Sequence, residues 1–409
     1  MDPTSQAISL AEDVLSKKLG GKQKITEVKP LTGSGSSLVL RARLAPSPFL
    51  QARTAIIKYA PDTADELAVA SLVREIVAYQ FTTSLPEESR PGPMVYAFDI
   101  DHRLVVISDS GEARTYAELL EAATAEERVG ILRTLGKAVG RMHVTTTAHE
   151  DEFDVLMSRM LKKYPASAPA QRLKDTLPVV AVRDGLGLLE QSGFVVPERV
   201  REIIGAATER LQASAARAFT PLDLAPDNII YSRETHFLDY EWASFRDVVF
   251  DIAGIACGFP QYLFSRPLTE EETDAAISAW IAEIAETWPR ARDEIYISRR
   301  IVSGMMAWAV GFLSFYIHGN MDAYFKQVLE HGDPAQFRTH TEDVFADIVA
   351  VTDAHLTHLV VAKLAATWES LLRFMVRANN PTHGEVIPFV EAVCARLREL
   401  VAAHSNPVE

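Results

Sequence analysis

The segment TPLDLAPDNIIYSRETHFLDYEW, residues 220–242, carries an asparagine and several acidic residues among apolar residues typical of a protein interior. Buried carboxylates are costly unless they are paired, hydrogen-bonded or bound to a cation. Asp223 precedes Asn228 by five residues, the D-x-x-x-x-N spacing of a phosphoryl-transfer loop, in which the Asp accepts a hydroxyl proton and the Asn holds a metal on the phosphates. The alternative is structural: Asp223 caps a turn and Asn228 begins a strand.

The runs NIIY and HFLD in this segment predict two short strands of a hairpin joined by a four-residue loop. If Tyr231 faces His236, Asn228 lies opposite Asp239 with the two Cβ atoms about 5 Å apart. One amide oxygen and one carboxylate at that distance could bind a single Mg²⁺ ion. Strand alternation would place Glu241 on the face of Asp239, as a further ligand or a support for one.

A glycine-rich stretch, GSGSS, lies between two strand-like runs near the N-terminus. The backbone N–H groups of such a hairpin can contact phosphates, although a plain β-turn would have the same composition. The third glycine of a G-x-G-x-x-G pattern is Leu38 here, and no G-K-S/T follows, so a P-loop is not supported. The predicted phosphate contacts are Gly33, Ser34, Gly35 and Ser36.

Lys58 is a lone charge inside the apolar strand AIIKYA and requires an anionic partner. The next predicted helix, opened by a capping box from Thr63 to Glu66, places Glu75 on an apolar stripe. A strand lysine paired with a helix glutamate is the arrangement that orders a lysine on nucleotide phosphates. The alternative is two unrelated surface charges.

The hydrophobic pattern changes near residue 110. The runs SSLVLRARL, TAIIKYA and RLVVISDSG predict strands before this point, and three- and four-residue spacings predict helices after it. Two of the helices open with capping boxes, Thr124 with Glu127 and Thr269 with Glu272. We therefore predict an α+β fold with two lobes: a small β-rich nucleotide-binding lobe at 1–110, and a large α-helical catalytic and substrate-binding lobe at 111–409.

Composition narrows the class of protein. The 409 residues carry a net charge of -14, which argues against a general nucleic-acid binder. The two cysteines, Cys257 and Cys394, lack the spacing of a disulfide framework or a zinc site. The longest apolar run, Met305 to Ile317, is 13 residues long and falls short of the roughly 20 that cross a bilayer. We expect a cytoplasmic protein with no membrane partner.

Taken in chain order, these motifs resemble the aminoglycoside phosphotransferase and choline kinase-like family, which has a bilobal protein-kinase-like fold. The specific part is DLAPDN followed by LDYEWASFRDVVFDIA, similar to the family pattern H-G-D-x-x-x-x-N, then I-D-W-E and D-P-x-x-D-L-A. The resemblance implies that Asp223 is the catalytic base, that Asn228 and Asp239 bind Mg²⁺, and that Lys58 with Glu75 positions the phosphates of ATP or GTP.

The resemblance also implies a hinge that contacts the adenine through backbone groups, and a carboxylate that braces the catalytic loop from the start of a helix. The hinge residues would be Ser108, Asp109 and Ser110, and the bracing carboxylate would be Asp251.

Two positions depart from the family pattern, because Pro221 and Leu222 stand where the family has His and Gly. The hydrogen bonding of the loop must therefore differ. Two functions remain open: an ATP- or GTP-dependent kinase of a small hydroxyl compound, such as a sugar, an amino sugar, an aminoglycoside-like molecule or an amino alcohol, and a kinase-like nucleotide-binding or regulatory protein with little or no turnover. The helical segments expected to bind the acceptor carry no readable motif.

Overall fold

The structure is a computed structural model that describes residues 2–31, 37–60, 66–337 and 342–404. Within them the strands are β1 (Ile25–Leu31), β2 (Leu38–Leu44), β3 (Thr54–Tyr59), β4 (Val95–Asp99), β5 (Leu104–Ser108), β6 (Arg114–Thr115), β7 (Arg217–Thr220), β8 (Ile229–Tyr231), β9 (Thr235–Phe237) and β10 (Ser244–Asp247). The first seven α-helices are α1 (Pro3–Leu19), α2 (Glu66–Ser84), α3 (Tyr116–Ala122), α4 (Ala125–Thr146), α5 (Glu150–Lys163), α6 (Ala168–Gln191) and α7 (Glu198–Ala213). The remaining α-helices are α8 (Val249–Ala256), α9 (Glu270–Ile284), α10 (Glu294–Ile317), α11 (Met321–His331), α12 (Val344–Val351), α13 (Thr357–Ala378) and α14 (Ile387–His404).

The main sheet has five antiparallel strands in the order β1-β2-β3-β5-β4. Alternate residues of β2 and β3 are buried, as a strand with one face on a core requires. The buried face packs on α1, which begins at an N-cap from Asp2 and ends at Gly20 with a positive φ of 76°. The α+β class predicted from the hydrophobic pattern is confirmed.

The chain divides into two compact units. The first combines Met1–Glu118, His149–Gln171 and Asp227–Ala243, and the second combines Leu119–Ala148, Arg172–Pro226 and Ser244–Glu409. Buried Arg74 of α2 joins the three segments of the first unit. Its guanidinium donates to the side-chain oxygen of Gln171 at 2.7 Å and to the carbonyl of Ala243 at 2.9 Å. The predicted division between residues 110 and 111 stays a prediction.

In the second unit, α4 and α9 both open with the predicted capping boxes, in which Thr124 and Thr269 exchange hydrogen bonds with Glu127 and Glu272. The two helices pack closely at Gly136 of α4. An alanine Cβ at this position would lie only 2.1 Å from the carbonyl oxygen of α9 residue Ala276. Glycine is therefore needed here for the close approach of the two helices.

We expect Gly136→Ala to destabilise the protein by about 1–3 kcal/mol, because the added methyl group forces α4 and α9 apart. Gly130→Ala is the matched control in the same helix, since its Cβ would have no neighbour within 4 Å. It should be neutral or stabilising by up to about 1 kcal/mol, the difference in helix propensity. Urea unfolding of both variants measures the effect, and equal stability of the two would contradict close packing at Gly136.

Among the described residues one helix, α10, is long and apolar enough to cross a membrane by length and composition. The most apolar 18-residue window of this helix is 89% buried inside the structure. Burial to that degree is what a core helix shows.

Candidate active site

Lys58 lies in the central strand β3, opposite Val39 of β2 and Val105 of β5. Its Nζ donates to Glu75 Oε1 on α2 and to Asp239 Oδ1, in both cases at 2.9 Å. The predicted pair of Lys58 with Glu75 is therefore observed, and Asp239, 181 residues further along the chain than Lys58, joins it. All three residues belong to the first unit.

The exposure of these side chains differs. Glu75 is 4% exposed, whereas Lys58 is 27% and Asp239 is 35% exposed. Burial acts to lower the pKa of Lys58, but the carboxylates of Glu75 and Asp239 outweigh it and hold that pKa well above its ordinary value. Burial raises the pKa of Glu75, and the ammonium of Lys58 opposes that rise. The result is a fixed ammonium with a buried carboxylate behind it and a partly exposed carboxylate beside it.

Two tyrosines pack beside this cluster. Tyr79 lies one helical turn after Glu75, and its ring centroid is 5.0 Å from that of Tyr240, which is fully buried next to Asp239 in the chain. Burial raises the pKa of both phenols, so both stay neutral at physiological pH. The rings therefore exclude water from one side of the ion pair without adding charge.

The hairpin that carries Asn228 and Asp239 has a different register from the predicted one. Tyr231 pairs with Thr235, and the connecting loop has three residues instead of four. The predicted pairing of Tyr231 with His236 is wrong by one residue. The N–H of Leu238 donates to the carbonyl of Asn228 at 2.8 Å, so Asn228 lies beside Leu238, the residue before Asp239.

Strand alternation does not set the direction of the Asp239 side chain. β9 ends at Phe237, and Asp239 has a φ of +59°, in the left-handed region where Asp is among the tolerated residues. The turn at Asp239 aims its carboxylate at Lys58. The prediction that Glu241 shares a strand face with Asp239 is therefore wrong, because neither residue is in a strand.

The predicted hinge follows β5 in the first unit. The hydroxyl of Ser108 accepts a hydrogen bond from the N–H of Met94, and Ser110 Oγ lies 2.8 Å from the ring of His236. Asp109 pairs with Arg41 of β2, with Oδ2 and Nε 3.0 Å apart. These contacts hold the hinge on the sheet, and a nucleotide contact from its backbone stays a prediction.

Residues 33–36, predicted to contact phosphates, lie outside the described residues, as does the start of the predicted capping box at Thr63. The strands that flank the glycine-rich stretch are described. β1 and β2 pair antiparallel with Leu31 opposite Val39, and Val39 is in turn opposite Lys58. The stretch thus connects two strands of one antiparallel pair, as predicted, and phosphate binding by it stays a prediction.

Asp223 lies in the second unit, in the turn after β7. Its Oδ1 accepts a hydrogen bond from the N–H of Ala225 at 3.1 Å, and the flanking Leu222 and Leu224 are buried. Leu222 has a φ of +67°, a conformation that costs a residue with a side chain about 1–2 kcal/mol and a glycine much less. The backbone at Leu222 therefore has a shape that suits glycine better than leucine.

Leu222 lines an apolar cavity of the second unit, together with Phe250 and Trp308. The rings of Phe250 and Trp308 stack with centroids 4.6 Å apart, and the indole N–H of Trp308 donates to the carbonyl of Phe250 at 2.7 Å. Burial of Leu222 among these groups offsets the strain of its backbone.

Asp251 does not make the contact that the resemblance implies. Its Oδ2 lies 3.1 Å from Nε2 of His143, and Nδ1 of His143 accepts a hydrogen bond from the indole of Trp280 at 3.0 Å. Since Nδ1 is an acceptor, Nε2 carries the hydrogen and donates a hydrogen bond to Asp251. Asp251 thus holds α8 to α4, and the loop at Asp223 has another support.

Sequence reasoning missed two residues that position the site. Arg74, next to Glu75, holds the three segments of the first unit together, and Arg41 fixes the hinge through Asp109. The signal for Arg74 was a charge beside Glu75 in an otherwise apolar helix. The partners of both arginines are remote in sequence and could not be inferred from spacing.

No protein-family model and no curated protein matches the chain. Solved structures to which it is similar include a choline/ethanolamine kinase family protein from Mesorhizobium loti, with 14% identity, a TM-score of 0.45, and coverage of 90% of this chain and 93% of that one. The ADP-bound aminoglycoside phosphotransferase APH(2'')-Ib gives 13% identity, a TM-score of 0.38, and coverage of 89% and 99%.

A putative fructosamine-3-kinase from Thermobifida fusca gives 16% identity, a TM-score of 0.39, and coverage of 80% of this chain and 97% of that one. These structures come from the classes that the sequence motifs resemble. At these TM-scores the similarity does not support a particular function, so a functional proposal must rest on the residues of the site.

Proposed function

We propose that the chain is a phosphotransferase that moves the terminal phosphoryl group of ATP or GTP to a hydroxyl group of a small molecule. The observation that carries the proposal is the bonding of Lys58 to both Glu75 and Asp239 at 2.9 Å. A lysine of strand β3, a glutamate of the following helix and a metal-binding aspartate are the groups that kinases use to hold nucleotide phosphates.

The residues near Asp239 fit a Mg²⁺ ion. Mg²⁺ binds through one or two protein oxygen ligands and completes its octahedron with water and phosphate oxygens, so a carboxylate and an amide suffice. Asp239 is partly exposed and Asn228 lies beside its neighbour Leu238, so these two would hold the ion. Bound there, Mg²⁺ would neutralise charge on the phosphate oxygens. Lys58 contacts the phosphates, and Glu75 keeps its ammonium in place.

Asp223 is the proposed base. Its carboxylate is partly exposed in an otherwise buried turn, and the N–H of Ala225 holds one of its oxygens. A carboxylate fixed in this way accepts the proton of an acceptor hydroxyl as the phosphoryl group is transferred. The proposed acceptor is a sugar, an amino sugar, an aminoglycoside-like compound or an amino alcohol. Both cysteines are free and buried, which supports the proposed cytoplasmic location.

We expect Mg-ATP or Mg-GTP at millimolar concentration to raise the melting temperature, because a ligand at about 100 times its Kd adds about 2.7 kcal/mol of stability. Asp239→Asn should lose most of this shift, since it removes the metal-binding carboxylate. Asp101→Asn, at an exposed position of the same unit, is the matched control and should keep the shift. No shift with either nucleotide in the unmodified protein would contradict nucleotide binding.

A second function, a nucleotide-binding or regulatory protein with little or no turnover, is favoured by one observation. Leu222 holds a strained left-handed backbone directly before Asp223, and Pro221 has no N–H to donate. Nucleotide binding without ADP release, tested across a panel of the proposed acceptors, would select this second function over the first.

A further inference from the structure

Residues 257–265 form a tight segment after α8. Gly258 and Phe259 have φ values of +81° and +57°, which turn the chain sharply after the helix. The N–H of Phe259 donates to the carbonyl of Gly254 at 3.1 Å. This turn presents the side chain of Gln261 to the catalytic turn around Asp223, within the same unit.

Gln261 contacts two backbone amides of that turn. They belong to Leu224 and Ala225, and both are donors, so the side-chain amide is oriented with its oxygen toward them. The oxygen then accepts from Leu224 at 3.2 Å and from Ala225 at 3.0 Å. The N–H of Ala225 also donates to Asp223 Oδ1 at 3.1 Å. One N–H thus lies between the oxygen of Gln261 and the carboxylate of the proposed base.

The segment that carries Gln261 is itself held by two buried side chains. Tyr316 of α10 donates its hydroxyl to the carbonyl of Pro260 at 3.0 Å. Lys363 of α13 donates to the carbonyl of Gly258 at 3.1 Å and to the hydroxyl of Ser265. Gln261 therefore projects from a fixed support and not from a loose loop.

We infer that Gln261 is a positioning residue for the phosphoryl transfer proposed above, and this inference rests on that proposed function. Its oxygen is an acceptor from another element for two N–H groups that also donate within the turn, that of Leu224 to the carbonyl of Leu222 at 3.2 Å and that of Ala225 to Asp223. By holding the N–H groups that follow Asp223, Gln261 fixes the direction of the carboxylate relative to the acceptor hydroxyl. A small loss of alignment at a base lowers turnover without weakening nucleotide binding.

The test compares Gln261→Leu, which removes the acceptor, with Gln261→Glu, which keeps an oxygen. Gln191→Leu, the same substitution at an exposed position of α6, is the matched control. Hydrogen exchange of the Leu224 and Ala225 amides reports the contact without any need for activity. Steady-state kinetics with Mg-nucleotide and an acceptor report its effect on turnover.

In Gln261→Leu we expect exchange at Leu224 and Ala225 to accelerate about fivefold or more, the effect of about one lost hydrogen bond. We also expect kcat to fall about 10- to 100-fold while KM for the nucleotide stays within about twofold. Gln261→Glu should keep the protection, and the second carboxylate facing Asp223 should shift the acidic limb of the pH–rate profile to higher pH.

Unchanged exchange in Gln261→Leu would overturn the inference. So would accelerated exchange in which kcat, nucleotide KM and melting temperature all change together, because that result indicates a structural role only. A different result separates the two proposals: the unmodified protein transfers phosphoryl to no acceptor, while exchange at Leu224 and Ala225 still depends on Gln261. In that case the proposed function and the positioning role of Gln261 are both wrong, but the contact of Gln261 with the turn is confirmed.

Discussion

Asp223→Asn is expected to lower kcat by at least about 100-fold, because a positioned general base contributes about 10²–10⁴ to the rate. The amide oxygen of asparagine can still accept the N–H of Ala225, so the turn keeps its shape. The Kd for Mg-nucleotide should stay within a few-fold, since the base acts on the acceptor hydroxyl. ADP release with a panel of sugars, amino sugars and amino alcohols, together with calorimetric nucleotide binding, measures the two effects.

Asp293→Asn provides the matched control for this prediction. Asp293 is the N-cap of α10 and accepts the N–H of Tyr296, a role that asparagine performs about equally well. Activity and nucleotide binding should both be unchanged in this variant. If Asp223→Asn lost nucleotide binding to the same extent as activity, Asp223 would be a structural residue of the turn and not a base.

Lys58→Met is expected to abolish nucleotide binding and to destabilise the protein by about 3–5 kcal/mol at pH 8, because it leaves Glu75 buried without its cation. The cost should depend on pH. Burial raises the pKa of Glu75 to about 7 with Lys58 present, and loss of the lysine raises it further. A carboxyl with a raised folded-state pKa loses stability as pH rises from its unfolded pKa through the folded one. The pH-dependent part of the deficit appears above about pH 7, so the deficit should be about 1.4 kcal/mol larger at pH 8 than at pH 5.

The double variant Lys58→Met with Glu75→Gln separates stability from function. A neutral amide at position 75 needs no cation, so most of the lost stability should return while nucleotide binding stays absent. Urea unfolding of the single and double variants at pH 5 and pH 8 gives the four values required. A deficit in Lys58→Met that is the same at both pH values would show that Glu75 is not the group left uncompensated.

The pair of Lys58 and Glu75 could be predicted because each was a charge at an apolar position, and an apolar environment leaves a charge few stable alternatives. The hairpin register could not be predicted. Loops of three and four residues suit the same sequence, and the choice shifts every pair by one position. The left-handed turn at Asp239, which aims its carboxylate at Lys58, has no sequence signal beyond the tolerance of Asp for that conformation.

The fold class was predictable because strand-like alternation dominates before about residue 110 and helical spacing dominates after it. The contacts of the turn at Asp223 were not predictable. The family resemblance implied Asp251, but that carboxylate bonds to His143, whereas Gln261 contacts the turn. A polar side chain in a short connection carries no periodic signal, so only three-dimensional contacts identify its partner.

The first unit is assembled from segments that leave the ribosome at different times. Lys58 and Glu75 emerge early, but Asp239 follows Lys58 by 181 residues. At about 5–20 residues per second, synthesis of the intervening chain takes on the order of 10–40 seconds. Throughout that interval the nascent chain contains Lys58 and Glu75 but lacks the hairpin before Asp239 that completes the cluster. Arg74 likewise cannot donate its hydrogen bond to the carbonyl of Ala243 until that residue has been synthesised. A fragment that ends at Ser108, after the last strand of the five-stranded sheet, therefore cannot form this unit. The unit becomes complete only when Ala243 has been added, before helices α8 to α14 of the second unit are synthesised.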